Sequence, residues 1–398
     1  MEIHTINTKR EMPKWIKKVA GANMIAATFF LPACTSASDT AHETEQNIAQ
    51  EVQLPVADRI TRDTGLDMQP CYEYKVCGTD LGIPFLLPNN SVGYLFGDTF
   101  SAMGPYVKNV RPGRDGWRSP VILRSNVLPE INQPIIFDSA AGISGTGVAP
   151  EVMYNGHRNS REISIYPNDA ISLPDGRVAM SYMSVGGNAT DTAKWASSYA
   201  GIAISNDGGN TFDRMLGSDH LPGPGDPVWS NNRSNTDPNQ MWSMQRDGDY
   251  IYIITARAGR QTGPMMMLRV LWQHITDKRY YECWNGENFG GECQPLLPES
   301  KYGEPSLRKL GDTWVMSYVD YTHAQLMTRT ASTPTGPWSE PKIQMNWRDL
   351  NALYGGFIHP YSTPNNLILM VSTWQSEDDG TEHGNLLRYD VSHLVGSV

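Results

Sequence analysis

An all-β, five-bladed β-propeller is the fold this sequence predicts, and three observations carry it. The composition favours short strands and tight turns, with 36 Gly, 27 Pro and 10% aromatics in 398 residues. No long stretch keeps apolar residues at i, i+3, i+4 and i+7, the spacing of an amphipathic helix. Residues 78–398 also repeat one unit five times: an apolar run, a tight turn and a second β-prone run. A large β-sandwich is the rival fold, but it does not need such similar hairpins at such intervals.

The first unit is residues 81–87, a Pro88-Asn89-Asn90 turn and residues 92–96. The second is 170–173, Pro174-Asp175-Gly176 and 178–183; the third is 241–244, Asp247-Gly248 and 250–255. The fourth is 306–310, Gly311-Asp312 and 314–319; the fifth is 357–361, Pro364-Asn365-Asn366 and 367–373. Each turn uses residues that tolerate positive φ or preset the bend. A further β-like run follows most hairpins, at 199–205, 265–271, 324–330 and 385–389. Five units of ~64 residues suit four-stranded blades. The run from Ser205 to Phe212, Ser-Asn-Asp-Gly-Gly-Asn-Thr-Phe, fits the Asp-box pattern S-x-D-x-G-x-T-[W/F]. This motif is a folded hairpin loop between outer blade strands, a structural device rather than a catalytic one.

The N-terminus has the order of an export signal. Lys9, Arg10, Lys14, Lys17 and Lys18 precede an apolar run too short to span a bilayer. It ends in Leu31-Pro32-Ala33-Cys34, which resembles the lipobox of bacterial lipoproteins, whose Cys is acylated. The expected organisation is a leader over 1–33, a lipidated flexible tether over 34–57 and the propeller over 58–398. That places an exported protein on a bacterial outer membrane or cell surface. The other four cysteines suggest local disulfides, Cys71–Cys77 and Cys283–Cys293, with buried free thiols as the alternative.

The formal net charge of −10 argues against nucleic acid as a partner. The sequence has no phosphate loop, GxGxxG, HExxH or CxxC, so no nucleotide, metal or other cofactor is expected. Candidate chemistry lies in the first hairpin. A three-residue turn pairs residues whose numbers sum to 178, Leu81 with Gly97 for example, and so sets Asp80 opposite Asp98. Cross-strand partners share one face of the sheet, with Cβ atoms about 5 Å apart. Pro84 suits an edge strand, such as the innermost strand lining a propeller channel. Two apposed carboxyl groups in a cleft split their proton affinities and prepare an acid and a base. Equivalent rim positions offer Asn168, Asp169, Glu304 and His359 as substrate-binding residues. Trp117, Trp195 and Trp374 offer stacking faces for sugar rings.

Gly78-Thr79-Asp80-Leu81-Gly82-Ile83-Pro84 with Phe96-Gly97-Asp98-Thr99-Phe100 resembles the opening of the family first described as domain of unknown function 4185. Tyr182-Met183-Ser184-Val185, Gly336-Pro337-Trp338-Ser339-Glu340-Pro341 and Leu353-Tyr354-Gly355-Gly356-Phe357-Ile358-His359-Pro360 resemble it too. The resemblance spans roughly residues 76–392. It implies a five-bladed propeller and an endo-D-arabinanase-like glycoside hydrolase with Asp80 and Asp98 as catalytic carboxyls, acting on mycobacterial-type cell-wall arabinan. A departure falls at Pro167-Asn168-Asp169, where the family pattern has a small residue after Asn. The alternative is a surface carbohydrate-binding propeller without turnover.

Overall fold

The computed structural model describes residues 54–102, 116–157, 162–186, 197–217, 221–223, 225–232, 234–377 and 385–398. The leader, Cys34, most of the tether and Trp195 lie outside them. Five antiparallel sheets follow one another along the chain, as expected for the five blades of a propeller. Blade 1 opens with Gly78–Leu86 and Val92–Phe100, and blade 2 with Ser164–Ser172 and Val178–Val185. Blade 3 opens with Met241–Asp247 and Tyr250–Ala256, and blade 4 with Ser306–Leu310 and Thr313–Asp320. Blade 5 opens with Leu353–Ile358 and Leu367–Glu377. Third strands follow at Val121–Ser125, Ser197–Ser205, Gly263–Leu271, Gln325–Ala331 and Asn385–Gly396.

The Asp-box loop sits where its motif predicts, between the third strand of blade 2 and the short strand Asp213–Arg214. Asp207 Oδ1 accepts from the Asn210 and Thr211 backbone N–H groups, both at 3.0 Å, and Phe212 is buried. Disulfides join Cys71 to Cys77 and Cys283 to Cys293.

The ring closes through the N-terminal strand Ile60–Arg62, which pairs with Asn385–Gly396 as the outermost strand of blade 5. Beside it, buried Asp63 accepts from His393 Nδ1 at 2.9 Å, and the other ring nitrogen of His393 donates to the Glu130 carbonyl at 2.9 Å. Apolar side chains fill the spaces between blades, with Tyr94 and Tyr182 in one cluster and Trp242 and Trp314 in another. This inter-blade burial is the main stabilising contribution, since each sheet alone leaves both faces wet.

The inner hairpin of blade 1 departs from its predicted register in one place. Pairs summing to 178 hold at Thr79↔Thr99 and again from Ile83↔Leu95 to Leu86↔Val92. Between them the ladder breaks, and Leu81 pairs with Phe96 rather than Gly97. Leu81 and Gly82 both take positive φ, +65° and +70°, which is the backbone of a bulge. Asp80 therefore leaves the ladder instead of standing opposite Asp98. A Cβ on Gly97 would lie 2.4 Å from Asp80 Oδ1, so the carboxyl folds over a position that only Gly can fill.

Candidate active site

The starts of the innermost strands of all five blades converge on one pocket, at the end of the channel away from the inner hairpin turns. Blade 1 supplies Asp80 and Asp98, blade 2 Tyr166 and Asn168, and blade 3 Trp242 with the following loop residue Arg260. Glu304 and Pro305 lead into blade 4, and blade 5 adds Tyr354, Phe357, Trp374 and Tyr389. The pocket has a volume of about 150 Å³.

The two aspartates sit in contrasting surroundings. Asp98 is buried and accepts from Trp117 Nε1 at 2.6 Å, Ser164 Oγ at 3.0 Å and Tyr166 O–H at 2.9 Å among the described residues. These donors on one carboxylate favour its ionised form. Asp80 is also buried, yet its Oδ1 has no hydrogen-bond partner among the described residues. Burial first, then the Asp98 charge, hold the Asp80 carboxyl well above the usual carboxylate range. Glu304 adds to that rise, while the Tyr389 hydroxyl and Arg260 oppose it. The pocket thus pairs a carboxyl that retains its proton with a carboxylate held ready as an acceptor.

Glu304 is half-buried in the same pocket. Its Oε1 accepts from Arg260 at 2.9 Å, and its Oε2 has no partner among the described residues. Arg260 lies between the rings of Tyr321 and Tyr354, at 4.6 and 4.2 Å from their centroids. These cation–π contacts fix the guanidinium, and the second Glu304 oxygen is buried beside it.

Asn168 lines the pocket beside a bulge between Pro167 and Asp169, its Nδ2 donating to the Gln240 carbonyl at 2.9 Å. Three expected substrate-binding residues take other places. Asp169 turns away from the pocket into a two-point ion pair with Arg308, at 3.0 and 3.1 Å, and also accepts from Ser243 and the Met244 backbone. His359 is fully buried against Tyr94, its Nε2 3.0 Å from the hydroxyl, and burial lowers its pKa to about 3. It is a neutral core histidine. Trp117 is buried with its N–H on Asp98, so it orients that carboxylate instead of offering a face to a sugar. Trp374 does line the pocket and stays 47% exposed.

Tyr166, Arg260, Tyr354 and Tyr389 escaped sequence reasoning. Tyr354 falls inside one of the quoted motif stretches. Tyr166 stands two residues before Asn168 and was within reach of the rim argument. Arg260 and Tyr389 carry no local signal, because blade closure alone brings them to Asp80.

A family model described as domain of unknown function (DUF4185) matches residues 69–394. A protein of Aspergillus versicolor called notoamide biosynthesis cluster protein J′ is 45% identical over 350 residues, covering 84% of this chain and 91% of its own. Notoamide biosynthesis cluster protein J of an Aspergillus species is 44% identical, covering 78% and 84%. Among solved structures, a candidate hydrolase of Bacteroides ovatus ATCC 8483 superposes with a TM-score of 0.54 at 15% identity. It covers 81% of this chain and 86% of its own, a likeness of fold alone.

Proposed function

The chain belongs to the DUF4185 family, and on that premise we propose that it is a glycoside hydrolase cleaving arabinofuranosyl linkages in a polysaccharide, endo-acting on D-arabinan. The observation that carries the reading is the contrast between Asp80 and Asp98 within one pocket. Asp80 gives its proton to the glycosidic oxygen as the bond to the leaving sugar breaks. Asp98, ionised and oriented by Trp117, Ser164 and Tyr166, acts on the anomeric centre directly or through a water. Glu304 on the pocket wall accepts from a sugar hydroxyl, and Trp374 stacks on a ring face. A non-catalytic carbohydrate-binding propeller needs no desolvated proton donor, which disfavours that alternative. In the same reading, Cys34 is the acylated anchor at the envelope, checked by acyl mass on Cys34.

The test is to incubate the purified protein with D-arabinan and with L-arabinan and to read the products by mass. The expected result is shortening of D-arabinan alone, lost in Asp80→Asn. The names of the two fungal relatives support a second reading, in which the pocket takes a small molecule of a biosynthetic cluster. The apolar wall of Leu81, Ile83, Met183 and Trp242 suits an aromatic ligand. Intact D-arabinan after incubation favours that reading over the first.

A further inference from the structure

Among the described residues, Trp347 and Trp374 are the two exposed tryptophans, at 52% and 47%. Leaving two indoles in water forgoes apolar burial that the other described tryptophans obtain in full or in part. The pair is not scattered. The Trp374 backbone N–H donates to the Ala352 carbonyl at 3.1 Å, and the Trp347 backbone N–H donates to the Ala324 carbonyl at 3.1 Å. The two residues therefore border the short connection between blades 4 and 5. With ~3.8 Å per residue, no more than about 19 Å of chain separates Trp347 from the Ala352 contact of Trp374.

Trp347 is also tied to the pocket wall. Ala324 ends the turn that begins at Tyr321. The Tyr321 hydroxyl donates to the Tyr354 carbonyl at 2.9 Å, and Arg260 lies over both tyrosine rings. The Arg348 guanidinium stands 5.4 Å from the Trp347 ring centroid and adds a donor fork beside it. An exposed indole next to a guanidinium fits the apolar face and flanking hydroxyls of a sugar unit.

We propose that Trp347 forms a distal subsite for the glycan chain, continuous with Trp374 at the pocket edge, so that a chain threads from Asp80 and Asp98 across the join of blades 4 and 5. This rests on the hydrolase reading above, and it gives the enzyme a preference for long chains. The experiment compares kcat/KM on polymeric D-arabinan with kcat/KM on a D-arabinan tetrasaccharide. In Trp347→Ala the ratio of polymer to tetrasaccharide falls about tenfold, carried by KM. Trp347→Phe recovers most of that ratio. An unchanged ratio, whether from equal losses or from none, overturns the subsite. Binding is read separately in Asp80→Asn protein, with and without Trp347→Ala, by retardation in native gels containing D-arabinan. Weaker retardation with Trp347→Ala supports the subsite, and undiminished retardation overturns it. If the wild-type protein cleaves neither substrate, the hydrolase reading fails while the gel still decides the subsite.

Discussion

Asp80 in blade 1 and Asp169 in blade 2 each lie beside a bulge in an innermost strand, and both are almost fully buried. Their chemistry diverges with their partners. Asp169 has both oxygens on Arg308, with Ser243 and the Met244 N–H adding further donors. Arg308 also donates to the Pro84 carbonyl of blade 1, so this pair ties blades 1, 2 and 4 together across the channel. Asp80 has a buried oxygen without a hydrogen-bond partner among the described residues, two acidic neighbours and a partly committed arginine. A buried carboxyl whose hydrogen bonds are complete is structural; one left incomplete and facing a pocket has free energy to spend on a ligand.

Substitutions can break or sharpen that contrast. The largest expected effect is on turnover: Asp80→Asn and Asp98→Asn each lower kcat by about 10²–10⁴-fold while keeping the native melting profile. Near-wild-type turnover in either variant removes that residue from the catalytic pair. Asp169→Ala has the opposite signature. It leaves Arg308 buried without its carboxylate and costs about 3–5 kcal/mol of stability by chemical denaturation, with little change in kcat of the folded protein. A loss of turnover at unchanged stability would erase the distinction between the two aspartates.

Tyr166→Phe removes one of the donors on Asp98 and is expected to lower kcat about tenfold. The pH profile carries a further sign. A carboxylate that loses a donor holds its proton more tightly, so the acidic limb moves to higher pH. The smallest effect comes from Glu304→Gln. The Glu304 charge helps to raise the Asp80 pKa, and its removal lowers it. The rate then falls at lower pH on the alkaline side, where Asp80 loses its proton. An alkaline limb that stays in place, or moves upward, separates Glu304 from the acid.

What the sequence determined alone is what depends on neighbours along the chain. The five hairpins follow from turn residues such as Pro174-Asp175-Gly176 and Gly311-Asp312 set between β-prone runs, because turn chemistry and strand alternation act over a few residues. The Asp box and the short-range cysteine pairs are local in the same way. Asp80 and Asp98 were found together because one hairpin holds both. Their exact pairing was not, since the bulge at Leu81 and Gly82 belongs to a tertiary fit in which a Cβ on Gly82 would lie 2.6 Å from Val391 of blade 5. The same limit applies to the rest of the pocket. Asn168 and Asp169 are adjacent with near-identical local signals, and only the distant Arg308 decides that one lines the pocket and the other closes the channel. Arg260, Glu304 and Tyr389 meet Asp80 because a ring of five sheets closes on itself. Ring closure brings residues hundreds of positions apart within reach of one carboxyl, and that burial together with the Asp98 and Glu304 charges, not local sequence, raises the Asp80 pKa.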